Sequence, residues 1–172
     1  MGQDSATRLN EFGKDRLPGL LGLKILSCTP ALVTGRIPVT APLIAGTGFL
    51  WAPVVIALAD TLCAYGAGEN RPPDSQSFTT IELKANFLGT VAEGGAIAGR
   101  ATPVHLGRTT QVWDAVVTDE ATGKPIALFR CTQLILYARQ SGSAAAPAAT
   151  PPPRPTRRES PARRSPRKTA RS

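Results

Sequence analysis

Residues 53–66 read PVVIALADTLCAYG, with apolar residues on every side and one charge, Asp60, near the middle. As a helix this stretch makes about four turns. A helix that is apolar all round is a buried helix, so the remaining chain must supply whatever covers it. A carboxylate at its centre loses hydration. Burial raises its pKa and costs free energy unless the group is paired or hydrogen-bonded. Two readings of Asp60 follow: a group held for chemistry, or an Asp that caps a neighbouring loop or pairs with an arginine. Pro53 suits a first-turn position, where its missing N–H would be unbonded anyway. Gly66 and Gly68 are expected to stop the helix.

Strands supply the cover. After residue 75 only strand-like segments remain: 77–88, 94–105, 109–118 and 125–137. Residues 119–124 form a hairpin loop with glycine in place, and Gly94-Gly95 reads as a second hairpin feature. Ahead of the helix, the apolar runs LLGLKILSC and ALVTGRIPV, split by Thr29-Pro30, read as a strand pair. The pattern predicts two short strands, one buried helix and a four-strand antiparallel meander. This is an α+β fold, with a curved antiparallel sheet wrapped around one central buried helix. Residues 5–16 predict a surface helix, since their apolar residues are few, ended by Pro18-Gly19.

The net charge of +8 belongs to one end of the chain. Residues 1–138 carry eleven Lys/Arg and eleven Asp/Glu, whereas residues 139–172 carry nine Lys/Arg and one acid, Glu159. The folded part is therefore neutral, and basicity says nothing of its partners. The tail is built of Ala, Pro, Ser and Arg. It cannot bury enough apolar area to offset chain entropy, which predicts disorder. The organisation expected is a helical extension over 1–17, one domain over 18–138 and a disordered basic tail over 139–172.

Several functional classes are excluded. Cys28, Cys63 and Cys131 are an odd number, widely spaced, with His105 the only histidine, so neither a zinc site nor a disulfide framework is expected. Reduced thiols suit a cytoplasmic protein. There is no P-loop and no Ser/His/Asp constellation. No secretory leader is visible, and the helix at 53–66 is too short to span a bilayer. His105, beside Leu106-Gly107, reads as a surface turn residue.

The motifs resemble those of the PaaI-like acyl-CoA thioesterases, which have the hotdog fold, over roughly residues 18–137. Ala57-Leu58-Ala59-Asp60-Thr61 resembles the helix motif that ends in the family's catalytic carboxylate. Asn86-Phe87-Leu88 with Glu93-Gly94 resembles the first long strand and its turn. Gly107-Arg108 opening a strand, and Thr118-Asp119-Glu120 to Thr122-Gly123-Lys124 with Ile126-Ala127, resemble the last hairpin. The resemblance implies a hotdog fold, hydrolysis of an acyl-CoA, no cofactor, and a site between two subunits of a homodimer or dimer of dimers.

It also implies residue roles. Asp60 matches the carboxylate, as general base or nucleophile. Ala52, eight residues earlier, matches the backbone N–H donor of the oxyanion hole. Thr80 matches a Ser/Thr that places the water in some members. Strand alternation conflicts here, because the apolar face of Ile81, Leu83, Ala85 and Phe87 turns Thr79, not Thr80, toward the helix. Arg108 falls near the CoA phosphates, where a guanidinium is suited; the alternative is a solvated turn charge. Asn86 is a further substrate-binding candidate. The chain has Trp51-Ala52-Pro53 where the family usually has His-Gly-Gly, and Ala45 where Asn or Gln is frequent. Trp51 either shapes an acyl pocket or packs at the subunit interface. Two other functions fit the same residues: a non-catalytic acyl-CoA-binding protein, or a hotdog dimer tethered to nucleic acid or another anionic surface by its tail.

Overall fold

A computed structural model describes residues 2–138. The tail over 139–172 lies outside the described residues. The chain opens with α1 (Gly2–Gly13) and a four-residue helix, α2 (Leu17–Leu20). Strands β1 (Lys24–Cys28) and β2 (Val33–Pro38) follow, then a 3-10 turn at Ala41–Leu43 and the long helix α3 (Ala52–Glu69). Four strands complete it: β3 (Ser77–Phe87), β4 (Ala96–Leu106), β5 (Thr110–Asp119) and β6 (Pro125–Leu136). All six strands form one antiparallel sheet in the order β1-β2-β4-β5-β6-β3.

That order corrects the four-strand meander. Only β4, β5 and β6 run consecutively; β3 crosses over to the far side of β6 and becomes an edge. Alternation within a strand reports its two faces but not its neighbour, so the crossover left no trace in the pattern. Gly94-Gly95 consequently closes no hairpin. The Gly94 N–H donates to the Val39 carbonyl at 2.9 Å, and the Gly95 carbonyl accepts from the Val39 N–H at 2.8 Å, which fastens the crossover to the end of β2.

Helix α3 lies in the hollow of the sheet because the sheet has been emptied of side chains beneath it. Gly35 of β2 pairs with Gly99 of β4. A Cβ at Gly99 would stand 2.6 Å from Leu62 Cδ1, and one at Gly35 would stand 3.0 Å from Leu62 Cδ2. Leu58 and Leu62 fill that space and are fully buried with Ile37, Ile97 and Trp113. Burying each large aliphatic side chain contributes about 1.5–3 kcal/mol.

The helix also continues through both of its expected stops, to Glu69. Gly66 is a packing glycine: a Cβ there would lie 2.4 Å from Trp113 Cη2. Trp113 has no room to yield, being fully buried with its Nε1 donating to Gln111 Oε1 at 3.0 Å. Gly66→Ala gains helix propensity of about 1 kcal/mol, but overpacking a locked ring costs more, typically about 1–3 kcal/mol. The expected outcome is a lower urea midpoint with the fold retained. An unchanged midpoint contradicts this packing account.

One further expectation changes at the N-terminus. Helix α1 ends at Gly13, and Pro18 sits in the first turn of α2 instead of ending α1. Helix α1 lies on the surface of the domain, with Thr7, Arg8, Glu11 and Phe12 exposed, and its inner face buries Ala6 and Leu9 in the core. Its Asn10 side chain brackets β1, accepting from the Ile25 N–H at 2.8 Å and donating to the Ile25 carbonyl at 2.9 Å. Two apolar residues one turn apart were enough to dock it. Among the described residues, no helix is long and apolar enough to cross a membrane.

Candidate active site

Within one chain α3 is covered on one side only. Val54, Val55, Leu58, Ala59, Leu62, Cys63, Gly66 and Ala67 are buried. The opposite stripe, through Ile56, Ala57, Asp60 and Ala64, is half-buried. Asp60 therefore stands at the margin of the core and not at its centre. Burial raises its pKa above the ordinary carboxylate value, and a hydrogen bond from Thr80 works in the opposite direction.

Thr80 reaches it because β3 is bulged. In the pairing of β3 with β6, Thr80 faces Gln133 and Glu82 faces Thr132, so Ile81 is an extra residue without a partner. The extra residue reverses the alternation. Thr80 before the bulge and Leu83, Ala85 and Phe87 after it share the helix-facing side. The alternation expectation for Thr79 fails at this point, and Thr80 Oγ1 lies 3.1 Å from Asp60 Oδ1. Ile81, the bulged residue, is 54% exposed.

A residue missed by sequence reasoning completes the cluster. Gln133 of β6 is fully buried. Its Nε2 donates to Thr80 Oγ1 at 2.9 Å and to Cys131 Sγ at 3.4 Å. The signal was present: along β6 the inward positions read Phe129, Cys131, Gln133 and Ile135, and one long polar side chain interrupts them. All three cysteines are free and buried.

The helix start is built separately. A short loop is closed by an Ile44–Leu50 bridge, with the Ala45 N–H donating to the Phe49 carbonyl at 2.8 Å. Gly48 turns this loop at φ +83°, a region glycine enters freely. The Trp51 N–H donates to the Leu43 carbonyl at 3.0 Å, and the Leu50 N–H to Thr90 Oγ1 at 3.1 Å, so both flanks of the entry are pinned. Ala52 is then the first residue of α3, where a backbone N–H has no acceptor within its own helix. It opens on an apolar cleft of about 360 Å³ lined by Phe49, Leu50, Val55, Phe87 and Thr90. Trp51 is 48% exposed at this entry.

The remaining candidates lie elsewhere. Arg108, beside the β4–β5 turn, pairs with Asp74 at 2.6 Å, packs 5.0 Å from the Tyr137 ring, and accepts the Tyr137 hydroxyl at its carbonyl. Asn86 pairs with Leu128 on the outer face of β3 and β6, beside Lys84 and Arg130. His105 is exposed within β4 and not in a turn. Asp60, Thr80 and Gln133 are thus brought together, Ala52 and Trp51 form a second locus, and Arg108 and Asn86 are apart from both.

A six-stranded antiparallel sheet curved around one long helix is the hotdog arrangement. Known proteins agree. The Thioesterase superfamily profile matches residues 47–126. A 1,4-dihydroxy-2-naphthoyl-CoA hydrolase of Listeria monocytogenes is 31% identical over 112 residues, covering 65% of this chain and 89% of that protein. The proofreading thioesterase EntH of Klebsiella pneumoniae is 31% identical, covering 65% and 80%. Among solved structures, a mutant of the Pseudomonas aeruginosa thioesterase PA1618 superposes with a TM-score of 0.71 at 27% identity, covering 76% of this chain and 93% of that one. The E. coli PaaI protein shares the fold with a TM-score of 0.68 at 22% identity, covering 77% and 94%. The chain belongs to the thioesterase superfamily and is a hotdog-fold thioester hydrolase.

Proposed function

We propose that this protein is a cytoplasmic acyl-CoA thioesterase, hydrolysing a short, medium-chain or aromatic acyl-CoA to the free acid and CoA at a site shared by two copies of the chain. The observation that carries this reading is the hydroxyl-supported carboxylate of Asp60 on the open flank of α3, two turns from the helix start. The same spacing supports the sharing. Eight residues of helix advance about 12 Å, too far for the Ala52 N–H and the Asp60 carboxylate of one α3 to meet at one carbonyl carbon. Two helices side by side bring the Ala52 N–H of one copy to the Asp60 of the other. The edge strand β3, with Ile81, Leu83 and Phe87 exposed, and the uncovered stripe of α3 suit that second copy.

In the reaction the Ala52 N–H, at a helix N-terminus, stabilises the oxyanion developing on the thioester carbonyl. Asp60 takes a proton from water as the oxygen adds, or adds directly to form an anhydride that water then opens. The C–S bond breaks, and CoA leaves as a thiolate that takes up a proton. Trp51, exposed at the helix start, offers a flat apolar surface to the acyl group, while Arg108 and Asn86, with Lys84 near the latter, offer polar contacts for CoA. The test is release of free CoA thiol from a panel of acyl-CoAs. Turnover of at least one short, medium-chain or aromatic substrate is expected. Tight binding across the panel with no thiol released contradicts hydrolysis and favours a binding protein.

A further inference from the structure

Gln133 occupies an unusual position for a neutral amide. It is fully buried, it is the one long polar group on the inward face of β6, and it touches the hydroxyl that touches Asp60. Thr80 has a single proton to give. Two acceptors stand within reach of it: Asp60 Oδ1 at 3.1 Å and Gln133 Oε1 at 3.2 Å. An ionised carboxylate is the stronger acceptor. Gln133 Nε2 meanwhile donates into the same Thr80 oxygen at 2.9 Å, occupying a lone pair and leaving the hydroxyl proton to point away. Nε2 also donates to Cys131 Sγ at 3.4 Å, so the same amide nitrogen meets both the hydroxyl and the thiol.

We propose that Gln133 is a positioning residue for the thioester-hydrolysing carboxylate: it aims the Thr80 hydroxyl at Asp60 when Asp60 is ionised, and accepts that proton at Oε1 when Asp60 is neutral. The inference rests on the assignment of Asp60 above. Its consequence is a carboxylate that stays ionised, and therefore competent as base or nucleophile, to lower pH than burial alone permits. Thr80 pulls the Asp60 pKa down against the desolvation that raises it, and Gln133 sets the direction of that pull. The other titratable groups around the centre are the thiols of Cys63 on α3 and Cys131 on β6. Asp114 of β5 and Glu82 of β3 act on those thiols from the outer side, where Asp114 is paired with Arg130. None of them donates to Asp60 as Thr80 does.

The experiment is the pH dependence of kcat/KM in the full chain for wild type, Gln133→Leu, Thr80→Val and the double variant. Each single substitution is expected to move the acid limb to higher pH by about one unit, read against that variant's own plateau at high pH. The double variant is expected to move no further than Thr80→Val alone, because Gln133 acts through that hydroxyl. A merely structural glutamine would lower stability without moving the limb. Should Gln133→Leu fail to fold, Gln133→Glu keeps the shape and turns the amide into a competing acceptor. Its limb is expected to shift further upward. An unmoved limb in the folded Gln133 variants, or additive shifts in the double, overturns the inference while leaving Asp60 its role. Full activity in Asp60→Asn overturns the assignment itself, and the inference with it.

Discussion

Replacing Asp60 with asparagine is expected to lower kcat by about 10²–10⁴-fold, the usual loss when a positioned base or nucleophile is removed. The amide has the same shape and can still accept from the Thr80 hydroxyl, so the loss isolates the charge from the packing. Stability should move the opposite way. Burial raises the native pKa of Asp60 above its unfolded value, so its contribution to stability is fully present below the unfolded value and is lost as pH rises through the native one. At neutral pH the wild type carries the whole burden of a dehydrated carboxylate, and the asparagine variant carries none. The variant should therefore denature at an equal or higher urea concentration at neutral pH, with the difference shrinking in acid. An inactive variant that is also strongly destabilised would point to a structural carboxylate.

The second large effect is expected from deleting one backbone N–H. Ala52→Pro removes the proposed oxyanion donor and little else. Proline is accepted at the first residue of a helix. Trp51 already has the extended conformation, φ −57° and ψ 125°, that a following proline requires. Residue 52 already precedes Pro53, so the new ring meets no new restriction on its far side. Loss of a single oxyanion donor lowers kcat by about 10²–10³-fold, and Ala52→Gly, which keeps the N–H, should stay near wild type. Equal losses in both variants, or none in the proline variant, would remove the Ala52 N–H from the mechanism.

Much of this architecture could be read from the residues, and the gaps have physical causes. The stretch 53–66 announced its helix because no polar face interrupts it. That uniform apolarity hid the fact that the chain's own sheet covers one side only. Gly66 reads as a helix stop until Trp113 is packed against it, a contact between residues 47 positions apart in sequence. The bulge at Ile81 is invisible to alternation, since one inserted residue reverses every assignment before it. Alternation favoured Thr79 and the family resemblance favoured Thr80; only the register decides. Gln133 was legible as an interruption of an apolar face, but its meaning depends on β3 crossing to pair with β6.

The central claim is that one active site draws on two copies of the chain, and mixed dimers of Asp60→Asn and Ala52→Pro test it directly. Each variant alone has every site damaged. With a differently tagged copy of each purified together, one site of the pair combines an intact Asp60 with an intact Ala52 N–H, and the other combines both defects. The mixed dimer should therefore recover about half the wild-type rate of CoA release, as a two-fold symmetric shared site requires. A mixed dimer no faster than its inactive parents would place both groups within one chain and contradict the account.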